Sequence, residues 1–327
     1  MTNSHTIYID KEQSNAIKGS LIILIVLGHN HVLCPNTVDG GITDFLYQFH
    51  IAGFFILPFF YNITLDSSWK RIQTIVIRTW IPYFWICFAC WLCTCVFFKN
   101  FKFGWEHIWA FVQGTQTPIR NAFGFVFPWF LPTFCTFSII MIIARKHKWF
   151  IFLFTLMAII LWLLPWYDFY ILKNTIPFGV VLAISYFGYG AITFLLNKLN
   201  KISKWIGSIL FIILSYGYWE HWNLGFLYKM FPCLFFFFTI TVSPFLNCRF
   251  IRILGQNSLG IYLFNVFLSN ITFIFLPHTI FYGVIGFLTS LLIPLVLTIL
   301  IFKIRILRIL LFPKSIDELK KLYKYNN

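Results

Sequence analysis

Lys18 and His29 stand eleven positions apart in the run Lys18-Gly-Ser-Leu-Ile-Ile-Leu-Ile-Val-Leu-Gly-His-Asn-His31. Eleven residues at about 100° each make three turns and about 20° more, so on a helix both project from one face, about 16 Å apart along the axis. Holding an ionisable group inside such an apolar run costs roughly 2 kcal/mol or more, which marks it as functional by default. Imidazole titrates near neutral pH, so His29 needs little tuning to act as a base. His50 enters the next apolar run from the opposite direction, at similar depth. The loop between them carries Asp39 and Asp44, the nearest carboxylates able to orient an imidazole. Arg71 and Arg78 are seven apart and, with Lys70, form a cationic stripe that suits a phosphate-rich ligand. Topology-setting charge and snorkelling explain Lys70 and Arg71 about as well. Four residues after Arg78, Pro82 frees a backbone carbonyl and kinks the helix. Trp129-Phe-Leu131 and Trp219-Glu220-His221-Trp222 offer aromatic and carboxylate groups of the kind that bind sugars, a composition that interfacial belts share.

The elements that must position these groups are membrane helices. The 327 residues are 59% hydrophobic and only 11% charged, whereas a soluble domain carries about 25% charge. Apolar runs fall at 16–33, 45–64, 74–98, 123–143, 149–167, 176–196, 204–222, 226–246, 257–276 and 280–302. Each has about the length needed to cross a ~30 Å hydrocarbon core. The expected fold is therefore all-α and polytopic, with about ten spans. Of the 25 Lys and Arg residues, 20 fall on one side of this arrangement: Lys11, Lys18, the clusters around 70–78, 145–148, 198–204 and 249–252, and seven in the tail. Only Lys99, Lys102, Arg120, Lys173 and Lys229 fall on the other. By the positive-inside tendency the heavy side is cytoplasmic, which puts both termini inside. The expected organisation is a cytoplasmic segment over 1–15, a ten-helix membrane domain over 16–302 and a basic cytoplasmic tail over 303–327. The same distribution excludes nucleic acid, since the net charge of +15 is scattered in short clusters between apolar runs.

The first run is read as a retained span and not a cleaved signal, because no small-residue site follows Leu33-Cys34-Pro35. The outer connection 99–122 carries Trp105 and Trp109 one turn apart, which predicts an interfacial or re-entrant helix. The tail alternates basic and apolar residues, as a helix lying on anionic lipid does. Cys87, Cys90, Cys93 and Cys95 share the third run; with no zinc-type pattern of histidine partners they read as small hydrophobes, and no metal is expected.

Several of these pieces, in this order, resemble the acyltransferase-3 family of bacterial integral-membrane acyltransferases. Lys18-x10-His29 is similar to the family's Arg/Lys-x10-His pattern, and Phe49-His50-Ile-Ala-Gly-Phe-Phe55 to its Phe-His-Met-Pro-Leu-Phe-Phe. Arg78-Thr-Trp-Ile-Pro-Tyr83, Trp129-Phe-Leu131 and Ser258-Leu-Gly-Ile-Tyr-Leu263 resemble its Arg-x3-Pro-Tyr, Trp-Phe-Leu and Ser-Leu-x-Ile-Tyr-Leu segments. Three departures stand out: Pro58-Phe59 replaces a usual Ser-Gly, Ile75 replaces the first arginine of an Arg-x-x-Arg pair, and Asn265 stands where a histidine often ends the last segment. The resemblance implies a multi-pass protein of the bacterial inner membrane. It would move an acyl group, acetyl above all, from acyl-CoA to a hydroxyl of a surface polysaccharide or lipid-linked sugar. Acetyl-CoA is then a substrate, with no cofactor bound. It further implies that donor phosphates meet Lys18, Arg71 and Arg78; Trp129 and Glu220, from the aromatic and carboxylate groups noted above, are the expected substrate-binding residues. His29 would act as general base or carry an acylated intermediate, with His50 beside it and Asp39 or Asp44 orienting an imidazole. A glycan or acyl-group transporter is the competing expectation, since ten helices with intramembrane histidine and arginine also suit proton-coupled transport. It would favour an inverted repeat with broken helices, and none is visible in the sequence. A non-catalytic membrane scaffold is the third.

Overall fold

Asp10 starts the first helix by accepting a hydrogen bond from the Gln13 amide at 2.7 Å, so α1 runs Lys11–Gly28 and takes in residues assigned above to a separate segment. The computed structural model describes residues 8–35, 41–61, 69–99, 101–198, 204–223 and 225–325. After α1 come α2 (Ile42–Tyr47), α3 (Ala52–Ile56), α4 (Trp69–Phe98), α5 (Trp105–Gln113) and α6 (Gln116–Phe123). Then follow α7 (Phe130–Lys146), α8 (Trp149–Leu163), α9 (Trp166–Thr175), α10 (Val180–Lys198), α11 (Lys204–Trp219) and α12 (Phe231–Leu246). The last are α13 (Arg249–Gln256), α14 (Ser258–Phe275), α15 (Ile280–Lys303), α16 (Arg305–Leu311) and α17 (Ile316–Tyr325). No strand occurs among the described residues. The protein is an all-α, polytopic membrane protein.

Among the described residues, seven stretches are long and apolar enough to cross a bilayer: Ile42–Phe60, Trp69–Phe97, Phe127–Lys146, Pro177–Lys198, Gly225–Leu246, Ser258–Phe275 and Ile280–Lys303. The other three expected spans are helices that miss those limits. Helix α1 carries Lys11, Glu12 and Lys18 in 18 residues. Helix α8 has 15 residues because Pro165 forces Leu164 into extended backbone. Helix α11 has 16 residues. The span Ile42–Phe60 is not one continuous α-helix either. It unwinds at Gln48–Ile51 between α2 and α3 and tightens into a 3-10 turn over Leu57–Phe60.

The chain divides into two compact units, residues 1–63 with 189–299 and residues 64–188 with 300–327. In the first, α1 crosses α13 at a place where only glycine fits. A Cβ on Gly19 would strike the Ile251 carbonyl, and one on Gly255 would strike the Asn15 carbonyl. Glu12 and Arg252 close the same crossing with an ion pair at 2.7 Å. The sequence placed Arg249 and Arg252 in a plain cytoplasmic connection, whereas they head a helix packed on α1. Helices α11 and α12 pair through Gly207, set against Phe237, and through the Ser208–Thr241 hydroxyl bond of 2.9 Å.

In the second unit α4 packs on α7, and the outer connection forms the two short helices α5 and α6 in place of a single one. Trp105 and Trp109 are exposed, while His107, Ala110 and Gln113 on the opposite face of α5 are buried, as in an interfacial helix. The basic tail is not a single helix on lipid. It folds as α16 and α17, held together by an Arg308–Glu318 ion pair and held to the foot of α4 by Lys70–Asp317 at 2.9 Å. The Trp85 indole also donates to the Leu310 carbonyl at 2.9 Å.

The hydrogen bond from Arg308 holds the Glu318 carboxyl below the usual carboxylate range. A depressed carboxylate pKa contributes stability that is fully present above the unfolded value of 4.5 and is lost as pH falls through the folded one. Protease protection of the tail is therefore expected to persist at neutral pH and to fade below about pH 4. Arg308→Ala is expected to expose the tail already at pH 7, and unchanged protection in that variant would show that the pair does not hold it.

Candidate active site

His29 sits at the end of α1 and caps it, its amide donating to the Ile25 carbonyl at 3.1 Å. The sequence placed it inside a span, whereas the helix stops one residue earlier. Asn30 ends it. The Asn30 carbonyl oxygen of the side chain accepts from the Val32 and Leu33 amides at 3.1 and 3.0 Å, closing a turn. Its amide donates to the Gly283 carbonyl of α15 at 2.7 Å. From α14, the Ser269 hydroxyl donates to the His29 carbonyl at 2.7 Å. The backbone of His29 is thus fixed by three helices of the first unit.

His50 lies in the unwound turn between α2 and α3 and is 1% exposed. Its Nδ1 is bonded to the Leu46 carbonyl, one turn back. A carbonyl only accepts, so this bond places the proton on Nδ1 and leaves the lone pair on Nε2. Nε2 is buried with no hydrogen-bond partner, and so is Nδ1 of His29. Tyr47 makes T-shaped ring contacts with both imidazoles, its centroid 6.2 Å from that of His29 and 4.9 Å from that of His50. Tyr47 lies three residues before His50, a helical spacing that puts the two rings side by side. Helix α2 packs over the end of α1 at ordinary contact distance, with the Tyr47 ring 3.8 Å from where a Cβ on Gly28 would stand.

Three more residues of this unit carry buried polar atoms without partners, one of them Asn197 through its side-chain amide nitrogen. Asn265 is fully buried with both polar side-chain atoms unpaired, and so is the Ser290 hydroxyl. Asn265 lies four residues before Ser269, hence on the face of α14 that meets α1. Ser290 lies seven residues after Gly283, on the face of α15 that receives Asn30. Buried polar atoms are nearly always paired, and a set of unpaired ones in one helix bundle is the mark of a reactive or ligand-binding site.

A family model described as an acyltransferase domain matches residues 11–301. The chain belongs to the acyltransferase-3 family. No match was found among curated proteins or among solved structures. The match supports a membrane acyltransferase in general, and its extent runs from the first residue of α1 nearly to the end of α15.

The residues expected to serve this acyltransferase are distributed as follows. Lys18, His29, His50 and Glu220 belong to the first unit, and Arg71, Arg78 and Trp129 to the second. Lys18 holds its ammonium 5.8 Å from the Tyr61 ring centroid. Asp39 lies outside the described residues. Asp44 is exposed on α2 and close in charge to Tyr47 and Tyr218. Among the described residues no carboxylate is ion-paired with His29 or His50. Glu220 is exposed at the end of α11. Arg78 is exposed on α4, nine residues or about 13 Å above Trp69. Trp129 needs a correction: the 3-10 turn Phe127–Trp129 tucks its ring inward against Tyr186, leaving 4% exposed, so it offers no open stacking face.

Four polar residues were not singled out for a role by the sequence. Tyr47 could have been found from its spacing to His50, and Asn265 and Ser290 from standing in apolar runs. Arg145 could not: it ends α7, and only packing brings its charge near Arg71 on α4.

Proposed function

We propose that the protein transfers an acyl group, acetyl in the simplest case, from acyl-CoA to a hydroxyl of a cell-surface polysaccharide or lipid-linked sugar at the inner membrane of a bacterium. The observation that carries this reading is the pair of buried, unpartnered imidazole nitrogens on the two rings that contact Tyr47. His50 Nε2 has its lone pair fixed by the Nδ1 bond to Leu46 and can take the proton of the acceptor hydroxyl. The hydroxyl oxygen attacks the thioester carbonyl, the new C–O bond forms, and the C–S bond breaks. The proton then passes to the departing thiolate to give CoA. His29 is the second base of the pair, or carries the acyl group between donor and acceptor. Tyr47 touches both rings and orients them.

Cations serve the donor's phosphates. Lys18 stands on the helix that ends in His29, and in the second unit Arg71 and Arg145 set two guanidinium groups close enough to repel each other. Like charges held near one another favour an anion between them, and planar guanidinium forks suit phosphate oxygens. Arg78, deep on a membrane helix, extends the same stripe. Asp39 orients an imidazole, as the resemblance implies, and the Glu220 carboxylate serves substrate binding.

The test is chemical. Purified protein incubated with acetyl-CoA and candidate sugar acceptors is expected to release CoA in step with acetylated sugar. Acceptor movement across proteoliposomes with no CoA release would show the transporter reading to be the correct one.

A further inference from the structure

Buried amides and hydroxyls on the helices of this chain commonly make their hydrogen bonds locally, one turn back. Asn257 at the head of α14 donates to the Ile253 carbonyl at 2.8 Å, and Thr298 of α15 to the Pro294 carbonyl at 2.7 Å. Asn265 and Ser290 stand on the same two helices and do not. The Gly286 carbonyl, one turn before Ser290, is taken by the Thr289 hydroxyl at 3.0 Å. Asn265 is 0% exposed and Ser290 2%, so solvent satisfies neither.

The two unpaired side chains share one seam. Helices α14 and α15 run antiparallel, with Gly260 facing Thr298 and Thr272 facing Gly286. In that register Ser290 stands level with residue 268, three residues or about 4.5 Å from the level of Asn265. Asn265 shares a helical face with Ser269, which donates to the His29 carbonyl, and with Thr272, which faces α15. Ser290 shares one with Gly283 and Gly286, which face Asn30 and Thr272. Both side chains therefore project where α14 and α15 meet α1, about one turn or 6 Å from the level of His29. At Asn30 the seam opens into a cleft lined also by Ser269, Thr272, Gly283 and Gly286.

A group that satisfies both must accept from Ser290 on one side and donate to Asn265 on the other. A planar trans amide is built that way, with its N–H and C=O on opposite edges. An acyl-CoA carries such an amide two methylenes from its sulfur, roughly 5 Å from the thioester carbonyl by ordinary bond lengths. That is close to the one turn that separates Asn265 from the level of His29. We propose that Ser290 donates to the carbonyl of this amide and that Asn265 Oδ1 accepts its N–H, so that the pair sets the thioester beside His29. The proposal rests on the acyl-CoA donor of the reading above and involves residues of the first unit alone.

Binding is read calorimetrically on the full-length protein in nanodiscs. The two probes are acetyl-CoA and an analogue in which CH2 replaces that N–H and the carbonyl stays. The unmodified protein is expected to bind acetyl-CoA about tenfold tighter, as one hydrogen bond to a buried acceptor allows. Asn265→Leu is expected to bind both with the same Kd. Ser290→Ala is expected to raise both Kd values about tenfold and to keep their ratio. Leucine removes an unpaired buried amide, so the thermal midpoint of Asn265→Leu is expected to equal or exceed that of the parent, which separates its loss from misfolding.

Equal Kd values for the two probes in the unmodified protein would overturn the proposal. So would a ratio that survives in Asn265→Leu, the result if that side chain holds only water. Unchanged Kd values in Ser290→Ala would overturn it as well. Binding of neither probe would instead refute the acyl-CoA donor.

Discussion

Replacing His50 with asparagine is expected to lower acyl transfer by about 10²–10⁴-fold, the usual contribution of a positioned acid–base group, while the protein folds and reaches the membrane normally. The choice of asparagine decides between chemistry and structure. The Asn amide nitrogen stands where Nδ1 of histidine stood, so it can keep the bond to the Leu46 carbonyl that holds the unwound turn. It offers nothing in the place of Nε2, the atom that is buried without a partner. If His50 serves only to close the turn, His50→Asn retains activity and the proposed role is wrong. If it is the base, activity is lost with no change in thermal midpoint. The parallel pair at His29 reads out its free Nδ1. His29→Gln, whose amide reaches the Nε2 position, is expected to be as inactive as His29→Ala, because neither restores a basic Nδ1. Rates are read as CoA released per protein at equal membrane abundance.

The second large effect is one of stability. Gly255→Val and Gly19→Val are each expected to destabilise the protein by about 3 kcal/mol, at the upper end of what overpacking costs. The reason is what the added carbons would meet. At both positions the obstacle is a backbone carbonyl, of Asn15 and of Ile251, which no rotamer change can move aside. Relief requires α1 and α13 to separate, and that breaks the Glu12–Arg252 pair. Gly28→Ala is the control, since its Cβ meets the Tyr47 ring at an ordinary 3.8 Å. In detergent the two valine variants are expected to lose on the order of 5–10 °C in thermal midpoint while Gly28→Ala stays within about 2 °C. A Gly255→Val midpoint equal to that of the parent would mean that the helices do not cross so closely.

What the sequence made legible was whatever a helix announces about itself. Apolar length located the helices. The short link between the first two runs already implied that His29 and His50 share one neighbourhood. What stayed hidden depends on a second helix. Arg249–Gln256 looked like a loop between spans because its role is defined by the groove of α1, where Gly19 waits for it. Trp129 looked like a surface ring because nothing local says that a 3-10 turn will roll it toward Tyr186. The closeness of Arg145 to Arg71 is set by the packing of α4 on α7, and no spacing within either helix encodes it. The break at Gln48–Ile51 was invisible for another reason: the run is as apolar as its neighbours and contains no proline until Pro58.

That break has an energetic side. A membrane that stores a proton gradient cannot tolerate a titratable relay open to both surfaces, and this chain holds two imidazoles within one bilayer. Unwound backbone at membrane depth survives only where protein or water satisfies it, and here protein does: the His50 amide donates to the Leu46 carbonyl at 3.1 Å and the Gly53 amide to the Phe49 carbonyl at 3.4 Å. On the C-terminal side of His50 the chain places Phe55, Ile56, Leu57 and Phe60, none more than 1% exposed. Together they are an insulating plug. A proton held at His50 therefore has no path along the second span in that direction.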